Sequence, residues 1–347
     1  MRPPLQGGRL DREIAVKTLH GAVVVIAGAS SGIGRAASLA FARAGAHVVA
    51  AARRREPLER LTEECTRLGP AALAVPTDVT DPEAVEALAR AAEKRFGRID
   101  VWINNAGTGV FGPFQDAPLD LHRRTIEVNL LGTLHGAYAA LPRFLDRDSG
   151  ILINMISLGG WAPTPFAAAY TASKFGLRGL TASLRQEMRR HPHIHVCGVF
   201  PAMVDTPGFV HGANVSGRTV DPGPLLYAPE EVAATLVHVA RHPRDEISVG
   251  WPARAAQMAY ALAPGPTEHL MGAALHRALD RAGPAPVTHG ALRTPLPEGT
   301  TARGGWLTRK GLPSASTLSG IGLAVAGAGL ALALGRRAGQ GHRRPER

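Results

Sequence analysis

From His20 onward the chain alternates short β-branched runs with longer stretches of helical periodicity, and this rhythm restricts the fold more than any other feature. Strands are expected over 23–27, 47–51, 71–75, 100–103, 151–155, 195–200 and 246–249. Helices are expected between them, over 34–44, 58–68, 82–96, 121–145, 168–190 and 229–240. A strand that feeds a helix before the next strand returns in parallel, by a right-handed crossover. The expectation is an α/β fold, a doubly wound parallel sheet with helices on both faces, forming one domain over 19–251. Its ligand site then lies beyond the carboxyl ends of the strands.

Residues outside that span read differently. An N-terminal arm, 1–18, lacks the apolar core of a secretory signal. Two more helical patterns, 252–262 and 267–281, form an extension over 252–282 that either covers a substrate mouth or serves a subunit contact, so a homo-oligomer stays open. Pro, Gly and Thr then dominate 283–317, as in a linker. The uncharged run 318–334 reads as the core of a membrane-associated or transmembrane helix (318–335), and a basic tail, 336–347, follows. As a helix the run would extend about 26 Å at 1.5 Å per residue. That is slightly short of a bilayer core of about 30 Å. Trailing arginines would remain on the cytoplasmic side, which gives a cytoplasmic catalytic domain tethered by its tail.

A formal charge of +11 raises the question of nucleic acid, but the excess is scattered and no basic stripe is interleaved with aromatics, so nucleic acid is not the expected partner. The two cysteines, Cys65 and Cys197, lack metal-ligand spacing and suit a reduced compartment. The run His191-Pro192-His193-Ile194-His195 has no carboxylate partner nearby, so no metal site is expected.

The first expected strand ends in Ala27-Gly28-Ala29-Ser30-Ser31-Gly32-Ile33-Gly34, a Gly-rich turn opening a helix. Glycines there let the backbone approach a pyrophosphate, which the helix N-terminus favours. The spacing, G-x-x-x-G-x-G, reads either as a dinucleotide cradle, with Gly28, Ser30, Ser31, Gly32, Ile33 and Gly34 as cofactor-binding candidates, or as a Gly-rich turn without a ligand. An acidic residue after the second strand would bind the adenosine ribose and repel a 2′-phosphate. This chain has Ala50-Ala51-Ala52 and then Arg53-Arg54-Arg55. The cofactor expected is therefore NADP(H) in preference to NAD(H), with Arg53 and then Arg54 on the phosphate. Arg55 reads as a solvated first turn. Asp78, with Val79 beside it, follows the third strand and is placed either for the adenine amino group or as part of a helix start.

Further motifs follow in order: Asn104-Asn105-Ala106-Gly107, Asn129 in Glu-Val-Asn-Leu-Leu-Gly, Ser157, then Tyr170 and Lys174 in Tyr-Thr-Ala-Ser-Lys. Tyr170 lies 13 positions after Ser157 and four before Lys174. Over about 19–250 the ordered set resembles the short-chain dehydrogenase/reductase family, in its dehydrogenase/reductase branch. The resemblance implies catalytic roles for Ser157, Tyr170, Lys174 and Asn129. Tyr170 would be the general acid/base, Ser157 would position the substrate oxygen, and Asn129 would hold a water in a proton relay. Lys174, one helical turn from Tyr170, would favour the phenolate and hold the nicotinamide ribose. It also places Asn105, Ala106 and Gly107 at the cofactor. Pro201, Val204 and Thr206 resemble the segment that meets the carboxamide, although Ala202 stands where glycine is usual.

Apolar residues surround these motifs. Val110, Phe111, Phe114, Leu158, Trp161, Pro163, Phe166, Phe209 and Val210 fall in the expected pocket loops, with Phe111, Trp161 and Phe166 foremost. They suit a small hydrophobic alcohol or carbonyl substrate. The expected activity is NADP(H)-dependent interconversion of a secondary alcohol and its ketone or aldehyde. A non-catalytic dinucleotide sensor and a membrane scaffold are the alternatives, and neither needs the intact Asn-Ser-Tyr-Lys set.

Overall fold

The computed structural model describes residues 18–317. The run 318–334 and the basic tail lie outside the described residues, and so does nearly all of the N-terminal arm. Among the described residues no helix is long and apolar enough to cross a membrane.

The strands are β1 (Val23–Ala27), β2 (His47–Ala52), β3 (Ala72–Pro76), β4 (Val101–Asn104), β5 (Val110–Phe111), β6 (Gly150–Met155), β7 (Ile194–Pro201), β8 (Ala213–Asn214) and β9 (Glu246–Val249). Seven of them form one parallel sheet in the order β3-β2-β1-β4-β6-β7-β9, and β5 pairs separately with β8. The order reverses at β1, which opens a crevice between the carboxyl ends of β1 and β4. The helices are α1 (Gly32–Arg43), α2 (Arg55–Leu68), α3 (Pro82–Phe96), α4 (Leu119–Ile126), α5 (Gly132–Arg147), α6 (Ala168–Glu187), α7 (Gly208–His211), α8 (Pro229–Arg241), α9 (Trp251–Leu262), α10 (Pro264–Arg281) and α11 (Trp306–Lys310).

Alternation of side chains across the sheet builds two cores. Val24 and Ile26 point into a cluster with Phe41 of α1, Leu61 of α2 and Leu236 of α8. Val23 and Val25 point oppositely, towards Leu88 of α3 and Phe144 of α5. Every residue of β1 is therefore buried, which explains a strand without a polar face. Helix α3 matches its expected span because both ends are marked. Asp81 caps its first turn, accepting from the amides of Glu83 and Ala84, and Gly97 ends it at φ +79°.

Phe144 is fully buried, and a Cβ on Gly150 would come within 2.1 Å of its ring atoms. Phe144→Ala should destabilise the domain by about 3–5 kcal/mol, read from denaturant unfolding; a loss below about 1 kcal/mol would mean the core collapses around the gap.

The segment expected to be a linker, 283–317, is instead packed across the catalytic domain. Leu292 enters an apolar cluster with Val110, Leu121, Ala213 and Val215, and Leu307 and Ala315 are also buried. Thr288 pairs with Asn214, and the Ala315 amide donates to the Leu226 carbonyl at 2.7 Å. Pro and Gly erase helical and strand periodicity without preventing docking, because arginine side chains and loop amides satisfy the segment's carbonyls. In the extension, α9 and α10 pack together, and Leu275, Ala278 and Leu279 of α10 line the main cavity.

Candidate active site

One cavity of about 1030 Å³ runs from the Gly-rich turn past the ends of β2, β3 and β4 to Ser157, Tyr170 and Lys174. Its cofactor end is built by close backbone approach. A Cβ on Gly28 would come within 2.6 Å of the Ala106 backbone, and one on Gly34 would overlap the Gly28 carbonyl oxygen. The Asn105 amide donates to that carbonyl at 2.8 Å, so Asn105 ties the β4 loop to the Gly-rich turn. Gly28, Ser30, Ser31, Gly32, Ile33, Asp78, Val79, Asn105, Ala106 and Gly107 line the cavity, while Gly34 supports the turn from behind.

Arg53 and Arg54 also line it, but in unequal states. Arg53 gives one N–H to the Ala291 carbonyl at 2.5 Å. Both terminal nitrogens of Arg54 are engaged. Nη1 donates to the carbonyls of Leu296 and Glu298 at 2.8 Å, and Nη2 to Ser30 Oγ at 3.2 Å and the Gly299 carbonyl at 3.4 Å. Asp78 has local partners too. Its Oδ1 accepts from Thr80, and its Oδ2 accepts from Arg124 at 2.6 Å. Burial pushes the Asp78 carboxyl up, but the Thr80 and Arg124 hydrogen bonds outweigh it and hold the group below its ordinary range.

At the other end Ser157, just past β6, has φ +124°, a strained value for a non-glycine residue. Such strain costs about 1–3 kcal/mol and persists where surrounding structure enforces it. Ser157 Oγ accepts from the Gly159 amide at 3.2 Å, and its side chain hydrogen-bonds the Tyr170 phenol. The Tyr170 ring sits between Gly109 and Gly159; a Cβ would lie 3.4 and 3.1 Å from it, respectively. Lys174, buried on the same helix face, places Nζ 5.6 Å from the Tyr170 ring centroid and donates to the Met155 carbonyl at 2.9 Å.

Asn129 lies in a π-helical turn, Glu127–Leu131, that interrupts the expected 121–145 helix between α4 and α5. Its side chain is fully buried and fully used. Oδ1 accepts from the Thr108 amide at 2.8 Å, and Nδ2 donates to the Thr108 carbonyl and to Ser173 Oγ, each at 2.9 Å. The extra residue of a π turn frees backbone groups and re-aims side chains, which is why such turns recur at functional sites. Neither the π turn nor the Thr108 and Ser173 partners carries a signal in spacing or composition.

Burial changes the proton balance of the pair. It pushes the Tyr170 phenol above its ordinary value, against the lowering effect of the Ser157 hydrogen bond. Burial also depresses the Lys174 ammonium to about 8. Burial thus works against the phenolate, and Ser157 works for it. Tyr170 should add no tyrosinate absorbance below about pH 10. The check is the difference spectrum between wild type and Tyr170→Phe, and a tyrosinate band near neutrality would contradict the assignment.

Pro201, Ala202, Met203, Val204 and Thr206 line the cavity beyond β7, and Ala202 fits there, its amide donating to the Val249 carbonyl at 2.9 Å. Phe111, Leu158 and Phe209 line the same cavity, with Leu275 and Leu279. Phe166 supports Phe111 from behind, with centroids 6.1 Å apart. Trp161 departs from expectation. It is 3% exposed, stacks on Phe200 with centroids 3.9 Å apart, and belongs to a core cluster under α9 instead of the cavity wall. Its flat apolar surface is used up by that stack.

A Gly-rich crevice at a topological switch point, joined to a Ser-Tyr-Lys cluster, defines an α/β oxidoreductase. The chain belongs to the short chain dehydrogenase family, whose model matches residues 22–212. It is 35% identical over 269 residues to an uncharacterised oxidoreductase, YxnA, of Bacillus subtilis (strain 168), covering 77% of this chain and 76% of that protein. A metagenomic short-chain oxidoreductase solved with NADP is 32% identical, with a TM-score of 0.58 over 67% of this chain and 98% of its own. An alcohol dehydrogenase of the archaeon Thermococcus sibiricus, solved with 5-hydroxy-NADP, is 27% identical, with a TM-score of 0.59 over 66% of this chain and 96% of its own.

Proposed function

We propose that this protein is an NADP(H)-dependent dehydrogenase/reductase that interconverts a hydrophobic secondary alcohol and its ketone or aldehyde. The observation that carries the reading is the single cavity joining the Gly-rich cradle and Arg53 to the Ser157–Tyr170–Lys174 cluster. The cradle fits a dinucleotide because the backbone approaches at Gly28 and Gly34 leave no room for side chains. NADP-bound relatives and the lack of a carboxylate after β2 support the phosphorylated cofactor.

When bound, the nicotinamide donates or accepts a hydride. Ser157 holds the substrate oxygen, and Tyr170 gives that oxygen a proton from its phenolic Oη during reduction or removes one during oxidation. A phenol raised by burial suits the acid role. Lys174 supplies positive charge near the phenol and would hold the nicotinamide ribose. Asn129 fixes the Thr108 loop and, through Ser173, the helix that carries Tyr170.

Phe111, Phe209, Leu275 and Leu279 make the substrate end apolar. Assays with NADPH should therefore favour bulky hydrophobic ketones, and reduction of small polar carbonyls alone would refute that substrate class. The uncharged run 318–334 would hold the enzyme at a membrane. Detergent-free fractionation of the full chain should then place it with membranes, and recovery in the soluble fraction would refute the tether.

A further inference from the structure

We propose that residues 293–305 form a gate over the dinucleotide end of the cavity, with Arg54 as its latch; the inference rests on the NADP(H) reading above. The segment is pinned at both ends by buried side chains, Leu292 and Leu307, and none of the residues between them is buried. Between the pins only Ala302 packs against the core, and it is partly buried; Arg293 and Arg303 pair with Asp120 and Glu230, and most of the remaining polar contacts fall on three segments assigned to the cofactor.

The first is the Gly-rich turn, where the Gly32 amide donates to the Thr301 carbonyl at 2.9 Å and Arg35 Nε to the Thr300 carbonyl at 3.1 Å. The second is the end of β2. All four terminal N–H groups of Arg54 have acceptors, three of them strap carbonyls, those of Leu296, Glu298 and Gly299. The third lies beyond β7, where the buried Asp205 carboxylate accepts from the amides of Trp306 and Leu307 at 2.9 and 3.3 Å. The Asp205 carbonyl also accepts from the Gly304 amide at 3.1 Å. Gly299 and Gly305, at φ +68° and +76°, lie within and at the end of the span and supply backbone turns that other residues rarely adopt.

Strap residues Pro295 and Leu296 line the same cavity as the Gly-rich turn, Asp78 and Tyr170, so space for a dinucleotide persists beneath the strap. The strap therefore closes over the cofactor instead of filling its place. Entry and release require residues 293–305 to lift while their two apolar pins stay seated. The arginines then divide their work: Arg53, with one N–H engaged, reads the 2′-phosphate, and Arg54 clasps the gate.

Stopped-flow measurement of NADPH and NADH binding to the full chain and to Arg54→Ala tests this division. A latch limits passage in both directions and ignores the phosphate. Association and dissociation rates should rise together, by roughly threefold or more for both cofactors, with little change in affinity. Weaker NADPH binding with NADH unaffected would make Arg54 a phosphate ligand and overturn the gate, as would unchanged rates. Wild-type protein that binds neither cofactor would overturn the gate and the proposed function together. Amide hydrogen exchange on wild type gives a readout that needs no variant. Saturating NADPH should slow exchange across 293–305, and an unchanged profile would overturn the gate.

Discussion

Tyr170→Phe should lower kcat for reduction of a hydrophobic ketone by about 10²–10⁴-fold, the usual worth of a positioned general acid. The substitution keeps the ring that sits between Gly109 and Gly159, so packing and cofactor binding should survive. What disappears is the phenolic hydroxyl proposed to pass a proton to the substrate oxygen, the group that hydrogen-bonds Ser157. Steady-state kinetics alongside NADPH titration separates the two effects. Undiminished turnover would remove Tyr170 from the chemistry.

Arg53→Ala should weaken NADPH binding by about 10–150-fold while leaving NADH nearly unchanged. The range follows from about 1.5–3 kcal/mol for hydrogen bonds to a charged group, at 1.4 kcal/mol per tenfold. Arg53 is the stronger candidate of the pair because most of its N–H groups remain available, whereas Arg54 is clasped by Leu296, Glu298 and Gly299. Equal loss for both cofactors would mean that Arg53 supports the fold of the cleft instead of reading the phosphate. Paired dissociation constants for the two cofactors provide the check.

Much of the sheet was legible because its signals are local. β1 and β9 fall where the β-branched runs predict them, and α3 is bracketed by Asp81-Pro82 and Gly97. The two-residue strands β5 and β8 were not legible, since their pairing joins Val110 to Ala213, far apart in sequence. The same reason hides the strap. Its carbonyls are matched by Gly32, Arg35 and Arg54, more than 240 positions away, and no periodicity marks such a fit. At the site, the ordered motifs indicated which side chains converge, but not their proton states. Burial alone raises Tyr170 and depresses Lys174, and burial is a property of the folded chain. Trp161 was misread because an aromatic in a pocket loop looks the same whether it faces the cavity or stacks on Phe200.

The most direct test follows the hydride. NADPH carrying deuterium at the transferable position of the nicotinamide ring would be incubated with the full chain and a bulky hydrophobic ketone. The expected result is an alcohol with deuterium at the carbinol carbon, formed in step with NADPH oxidation and strongly suppressed in Tyr170→Phe. An alcohol without the label, or NADPH consumed with no alcohol formed, would contradict direct hydride transfer at this site.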